Sequence, residues 1–146
     1  SCVDPKKENF YNYKGTSLFK PNFKEFTVGL KEDIEKGDIN NLMNYAEEFS
    51  KEQSIQNIMI TLSEDGVILY NEKEKTHIPA EVRNISDVSG AGDTVISTAA
   101  LAFCKGVNGQ DLVTISNLAG GLVCEEVGVV PINKNRLENE FLKRAK

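Results

Sequence analysis

The stretch of sequence best suited to chemistry is a glycine-containing run at residues 87–94. It reads Asp-Val-Ser-Gly-Ala-Gly-Asp-Thr, and it lies between a predicted strand and a predicted helix. Gly90 and Gly92 permit positive φ and let a ligand approach the backbone closely. The N–H groups at the start of a helix converge on one point, where the helix dipole favours negative charge. The run therefore predicts an anion cradle of the kind that phosphate chemistry requires.

Asp93 would lie in the first turn of that helix, beside the bound anion. A carboxylate there can accept a proton from an attacking hydroxyl, while the amides stabilise a transferring phosphoryl group. The alternative is a glycine turn in which Asp93 is only a helix-capping acid, and spacing alone does not separate the two. Two other glycine motifs are excluded. The Walker A motif requires a Lys directly after its last glycine, and no Lys follows here. The dinucleotide-binding fingerprint GxGxxG requires a third glycine, and Val95 occupies that position.

The same run resembles the carboxy-terminal signature D-T-x-G-A-G-D of the ribokinase-like (PfkB) carbohydrate kinases. The resemblance implies that Asp93 is the catalytic base and that the amides of Gly90, Ala91 and Gly92 form the anion hole. It also implies ATP as the phosphoryl donor, with Mg²⁺ bridging its phosphates. Thr98 differs from the Ala or Gly that the family prefers, at a helical position away from the anion hole.

The segment Lys-Pro-Asn-Phe-Lys-Glu at residues 20–25 resembles the P-N-x-x-E element of the same family. The resemblance implies that Asn22 and Glu25 order the water shell of Mg²⁺. The same two residues also fit a helix capping box, in which an N-cap side chain and the third helical residue bond each other's backbone. We expect both roles.

Two further segments resemble the parts of the family that bind the nucleotide. Residues 61–66 resemble its T-x-G-x-x-G loop with Ser63 in place of the first glycine, and Asn117 opens a small-residue stretch of a predicted helix. The resemblance implies that Thr61, Ser63, Gly66 and Asn117 line the nucleotide pocket. From the residues alone, the loop is equally a β-hairpin turn, and the small residues equally permit tight helix packing.

A narrower resemblance joins several segments to the D-glycero-D-manno-heptose 7-phosphate kinases of ADP-heptose synthesis, which supply lipopolysaccharide core precursors. The segments lie at residues 3–6, 13–15, 20–26, 61–66, 90–96 and 117–131, and Ser63 is typical of this subgroup. The resemblance implies a small-molecule sugar phosphate as substrate, phosphorylated at its anomeric hydroxyl. The alternatives are another sugar or a nucleoside as substrate, or a catalytically incomplete nucleotide-binding fragment.

Composition excludes several classes of function. The 146 residues carry 17 Lys+Arg against 22 Asp+Glu, a net charge of −5, which disfavours nucleic-acid binding. No apolar run is long enough for a membrane span, and the start does not look like a signal peptide. Cys2, Cys104 and Cys124 are too widely spaced for a disulfide framework or a zinc site. The absence of a disulfide pattern in the sequence indicates a cytoplasmic protein. We expect Cys104 and Cys124 to lie in the core. The single histidine, His77, is expected on an edge strand.

Hydrophobic periodicity predicts the elements that must position these residues. Helices are predicted at 23–30, 39–54, 91–105, 110–127 and 134–146, and strands at 2–5, 16–20, 57–62, 67–70, 76–79 and 81–85. This order indicates an α/β fold. The resemblance makes it a ribokinase-like three-layer sandwich, with helices on both faces of a central, mostly parallel sheet.

Residues 1–146 are expected to be only the carboxy-terminal, nucleotide-binding half of such a kinase domain. The family's glycine-rich sugar-binding elements and its β-sheet lid are not found in this sequence. A sheet that begins at the Val3 strand would expose an unpaired edge. We therefore expect a homo-oligomer or pairing with the missing amino-terminal half.

Overall fold

The structure is a computed structural model that describes residues 1–81 and 83–144, with Lys7 described by its backbone. The chain divides into two compact units, Ser1–His77 and Ile78–Lys146. None of the helices in the described part of the chain combines the length and apolar character needed to cross a membrane.

The strands form one mixed five-stranded sheet in the order β1-β2-β3-β4-β5. Their bounds are β1 Cys2–Val3, β2 Leu18–Phe19, β3 Ile58–Thr61, β4 Val67–Asn71 and β5 Glu74–Ile78. β1 pairs with β2 and β2 with β3 in parallel, whereas β3 and β4 are antiparallel. The parallel strands end at the same edge, and the segments predicted to bind metal and nucleotide follow β2 and β3.

Two α-helices and two 3-10 helices complete the first unit. The α-helices are α1 Phe23–Leu30 and α2 Ile39–Gln53, and the 3-10 helices are Lys7–Asn12 and Ser63–Asp65. α2 begins where the Asp38 side chain accepts a hydrogen bond from the Asn41 N–H, and it ends at Ser54 in the left-handed conformation. These are the capping signals that a helix of this length requires.

Four phenylalanines form the centre of the core of the first unit. Phe10, Phe19, Phe26 and Phe49 are each at most 3% exposed. The Phe10 ring lies 5.1 Å from the rings of both Phe19 and Phe49. A Cβ atom at Gly29 would lie 2.4 Å from Phe10 Cγ, so α1 approaches the first 3-10 helix very closely. Aromatic contacts at these distances stabilise beyond the area they bury.

The second unit is helical. Its helices are α3 Ala91–Cys104, α4 Gly109–Cys124 and α5 Lys134–Arg144. Val95 of α3 is buried, and a Cβ atom at Gly120 of α4 would lie 2.6 Å from its Cγ2. α3 and α4 therefore pack at a distance that only glycine permits.

The predicted helices are confirmed within three residues at each described end, and the last two residues of the 134–146 prediction lie outside the described residues. The predicted strand at 81–85 is wrong for residues 81 and 83–85, and Val82 lies outside the described residues. Cys124 is buried as predicted, but Cys104 is exposed. Cys104 comes two residues after buried Ala102 and so lies on the opposite face of α3.

Candidate functional site

The glycine run places an open helix start in the second unit. Gly90 is the N-cap of α3 in the left-handed conformation, with φ +78° and no side-chain cap. The Thr94 N–H donates to Gly90 O at 2.9 Å, which is the first α-helical bond. In the described part of the chain, no carbonyl outside the helix accepts a bond from the Gly92 or Asp93 N–H. These two donors are therefore available to an anion at the positive end of the helix dipole.

Gly90 is required by packing as well as by backbone conformation. A Cβ atom at this position would lie 3.0 Å from Val129 Cγ1. Any larger residue would be strained at φ +78° and would push against that side chain. The N–H of the next residue, Ala91, donates to Val88 O in a long bond of 3.3 Å. The binding roles of Gly90, Ala91 and Gly92 stay predictions.

Asp93 lies in the first turn of α3 and is exposed. A carboxylate at this end of a helix is favoured by the dipole, which also fits the simpler role of a capping acid. Its exposure leaves it open to a substrate hydroxyl. The catalytic role of Asp93 stays a prediction.

Asp87 holds the glycine run in shape, a role that the sequence did not reveal. Its Oδ1 accepts a bond from the Ser89 N–H at 2.9 Å, and its Oδ2 accepts one from the Gly128 N–H at 3.1 Å. The bonds from Ser89 and Gly128 lower the pKa of Asp87 below its usual value, so the carboxylate stays ionised. The bond between the Ser89 N–H and Asp87 Oδ1 forms an Asx turn, a local motif that an aspartate favours at the backbone two residues further on. The bond to Gly128 spans 41 residues and has no such signal.

The capping box at α1 is confirmed. The Glu25 N–H donates to Asn22 Oδ1 at 2.8 Å, and the Asn22 N–H donates to Glu25 Oε2 at 2.9 Å. The other carboxylate oxygen, Oε1, takes no part in the box and lies 4.0 Å from Lys6 Nζ. The described residues contain no cluster of three or more His, Cys, Asp or Glu that could hold a metal ion. The water-mediated role of Asn22 and Glu25 toward Mg²⁺ stays a prediction.

Asn22 and Thr61 lie on neighbouring segments where β2 and β3 end. They form an isolated parallel bridge, and the Thr61 N–H donates to Pro21 O at 3.2 Å. The loop after β3 contains a turn of 3-10 helix, which the prediction of a hairpin turn did not include. The 3-10 helix begins at Ser63, with φ +56°, and is followed by its C-cap residue Gly66, with φ +90°. Two of its positions are therefore left-handed, and only one of them is glycine.

Ser63→Gly is expected to leave the free energy of unfolding unchanged or to raise it by up to about 1 kcal/mol. The reason is that a serine at positive φ costs a free energy of about this size and a glycine does not. Ser63→Val is expected to lower stability by about 1 kcal/mol or more, since a β-branched residue fits positive φ poorly. Chemical denaturation measures both changes. Ser97→Val is the control, because Ser97 is exposed in α3 without positive φ. Equal losses from the two valine variants would contradict the explanation.

Asn117 and the glycines that follow it contact other residues of the second unit. The Asn117 side-chain amide donates to Pro79 O at 3.2 Å. Gly120 contacts Val95, and a Cβ atom at Gly121 would lie 3.1 Å from Arg83 Cδ. Tight packing, one of the two explanations for this stretch, is thus confirmed. Contact between Asn117 and a nucleotide stays a prediction.

Solved structures with the same fold are carbohydrate kinases. Phosphofructokinase-2 from Escherichia coli, in complex with substrates and products, matches with a TM-score of 0.88 over 99% of this chain and 47% of that chain, at 16% identity. Ribokinase from Thermotoga maritima matches with a TM-score of 0.73 over 94% of this chain and 45% of that chain, at 26% identity. The fold is therefore the ribokinase-like α/β fold that the sequence predicted.

Residues 7–136 match the family model described as pfkB family carbohydrate kinase, and the chain belongs to this family. Among curated proteins, the bifunctional protein HldE of Koribacter versatilis is 34% identical over 137 residues, which cover 94% of this chain and 28% of the relative. The bifunctional protein HldE of Methylobacillus flagellatus is 33% identical over 95% of this chain and 28% of the relative. The chain thus spans just over a quarter of the length of these relatives.

Proposed function

We propose that this chain is the nucleotide-binding part of a sugar kinase that transfers the γ-phosphoryl group of ATP to D-glycero-D-manno-heptose 7-phosphate. The observation that carries the proposal is the uncapped, left-handed start of α3, with Asp93 in its first turn. Membership of the carbohydrate kinase family supports phosphoryl transfer to a sugar. The relatives named HldE and the subgroup resemblance support the heptose phosphate.

In the proposed reaction, the anomeric hydroxyl oxygen of the sugar forms a bond to the γ-phosphorus of ATP. The bond from that phosphorus to the β,γ-bridging oxygen breaks, and ADP leaves with the electron pair. The hydroxyl proton passes to the carboxylate of Asp93, which acts as general base. The amides of residues 90–93 stabilise the charge that spreads over the transferring phosphoryl oxygens.

The α3 start suits a phosphate, because the N–H groups of Gly92 and Asp93 have no carbonyl partner outside the helix in the described part of the chain. Asn22 and Glu25 offer an amide oxygen and a carboxylate oxygen, the hard donors that Mg²⁺ and its bound waters prefer. Glu25 Oε1 is outside the capping box and could bond such a water. Mg²⁺, when bound, would neutralise negative charge on the phosphates of the nucleotide.

We also propose that Thr61, Ser63, Gly66 and Asn117 contribute to nucleotide binding. The support is the loop that follows β3, where the left-handed positions of Ser63 and Gly66 turn the backbone sharply. Asn117 keeps its side-chain oxygen outside the bond to Pro79, since that bond uses its Nδ2. We further propose that the sugar-binding residues come from a second half of the kinase domain or from a partner copy of this chain. The proposed location of the kinase is the cytoplasm.

A second candidate function is nucleotide binding without catalysis. It is favoured by the place of Asp93 in the first turn of α3, where a carboxylate also fits the role of a capping acid. It would use the same amides and leave Asp93 as a capping acid. Turnover separates it from the first candidate.

The experiment uses a chimera in which this chain replaces the matched segment of the Koribacter versatilis relative. ADP release is measured with MgATP and a panel of heptose 7-phosphate, fructose 1-phosphate, ribose and adenosine, and MgATP binding by the chain alone is measured by calorimetry. The sugar-binding elements of the chimera come from the relative, so turnover tests whether this chain supplies a working phosphoryl-transfer site. We expect turnover with heptose 7-phosphate. Binding of MgATP without turnover would favour the second candidate, and absence of MgATP binding would overturn both.

A further inference from the structure

An ion-pair cluster centred on Arg83 lies four residues before Asp87. The Arg83 side chain is 10% exposed, and its guanidinium contacts three carboxylates. Nη1 donates to Glu125 Oε1 at 2.8 Å, and Nη2 donates to Glu140 Oε2 at 2.8 Å and to Glu81 Oε2 at 2.6 Å. The fork of a guanidinium suits such multiple charge-assisted bonds, which lysine could not reproduce.

The stem of Arg83 lies against the backbone of α4. A Cβ atom at Gly121 would be 3.1 Å from both Cδ and Nε of Arg83. The glycine therefore leaves the space that the arginine stem occupies. This contact is independent of the ion pairs and fixes the same side chain to the same helix.

The cluster is fully ionised at neutral pH. Burial alone would lower the pKa of Arg83, but the bonds to Glu140, Glu125 and Glu81 outweigh it and raise that pKa. The bond from Arg83 is the largest cause that lowers the pKa of Glu125 and of Glu140. Removing the guanidinium would leave the three carboxylates with only their ion pairs to Arg136 and Arg144.

The segment between Arg83 and the glycine run is fixed to the same end of α4. The N–H groups of Ser86 and Asp87 both donate to Cys124 O, at 2.8 and 3.2 Å. Cys124 is the last residue of α4, and Glu125, which pairs with Arg83, is next to it. The segment is thus held at two points, by the ion pair and by the backbone bonds, immediately before Asp87 shapes the run.

We propose that Arg83 is a positioning residue for the anion-binding start of α3. It acts through the segment at residues 83–87, whose attachment to the end of α4 fixes Asp87 and therefore the orientation of the Gly92 and Asp93 amides. The inference rests on the proposed function, because it assigns these amides to the phosphates of ATP. It predicts that loss of Arg83 weakens phosphate binding specifically.

The test compares Arg83→Met with Arg136→Met in the 146-residue chain. Arg136 is the matched control, since it pairs with Glu125, Glu126 and Glu140 but with neither Glu81 nor Asp87. We expect Arg83→Met to weaken MgATP binding about tenfold, because the loop loses preorganisation, with adenosine affinity unchanged. It should also speed amide hydrogen exchange at Asp87, Ser89 and Ala91, whose N–H groups are hydrogen-bonded in the loop. Arg136→Met should change neither measurement by more than about twofold.

Equal effects of the two variants on loop exchange, or parallel losses of MgATP and adenosine affinity, would overturn the inference. Should Arg83→Met fail to fold, Arg83→Lys takes its place, because it keeps the stem and the charge but loses the fork. Arg83→Lys is then expected to give intermediate effects, and wild-type values would overturn the inference. A wild-type chain without MgATP affinity would overturn the proposed function, whereas loop exchange would still test the positioning by Arg83.

Discussion

Asp93→Asn is expected to lower the turnover of the chimera by about 10²–10⁴-fold, since an amide cannot accept the proton of the attacking hydroxyl. The affinity for MgATP should stay within about threefold, because asparagine keeps the size of the side chain and leaves the amides of the α3 start in place. Initial rates of ADP release with heptose 7-phosphate measure the first effect. Calorimetry with the chain alone measures the second.

Asp111→Asn is the matched control for this substitution. Asp111 is an exposed aspartate in the first turn of α4, as Asp93 is in α3. Both variants lose a similar interaction with a helix dipole, about 0.3–1 kcal/mol, so their stabilities should fall alike. Turnover should fall only for Asp93→Asn. Wild-type turnover in Asp93→Asn would show that Asp93 is only a capping acid.

Gly90→Ala has the second large expected effect. The new Cβ atom would lie 3.0 Å from Val129 Cγ1, on a backbone with φ +78°. We expect a loss of stability of about 1–2 kcal/mol from the left-handed conformation alone. We also expect MgATP affinity to fall by at least about tenfold, because relief of the contact must shift the loop whose amides bind phosphate. Thermal denaturation and calorimetry measure the two losses.

Gly106→Ala separates backbone strain from damage to the loop. Gly106 has φ +82°, and a Cβ atom there would meet nothing within 4 Å. Its stability loss should therefore come from the left-handed conformation alone, about 1–2 kcal/mol, while its MgATP affinity stays at the wild-type value. Equal losses of affinity in the two variants would mean that destabilisation, and not the position of the glycine run, controls binding.

Local signals in the sequence were sufficient for the helices and for the glycine run. Asn22 and Glu25 predicted the start of α1 because both bonds of a capping box lie within four residues. The glycines at 90 and 92 predicted an open helix start, because a left-handed N-cap without a side chain is a local property. The α/β order followed from periodicity, which β-strands and amphipathic helices display along the chain.

Features that depend on distant residues could not be predicted in this way. The 3-10 helix at Lys7–Asn12 is held by burial of Phe10 against residues of β2 and α2. The sequence around Arg83 predicts a strand, yet the ion-pair partners of Arg83, Glu125 and Glu140, lie 42 and 57 residues away. Asp87 belongs to the glycine motif, but only its bond to Gly128 gives it the role of a tether.

The most direct test of phosphate binding at the α3 start is a titration of the isotopically labelled 146-residue chain with MgATP, followed by amide chemical shifts. We predict that the amides of residues 90–93 shift most, that they saturate with MgATP, and that adenosine leaves them unchanged. Binding of MgATP that leaves these amides unshifted, or equal shifts with adenosine, would contradict the account.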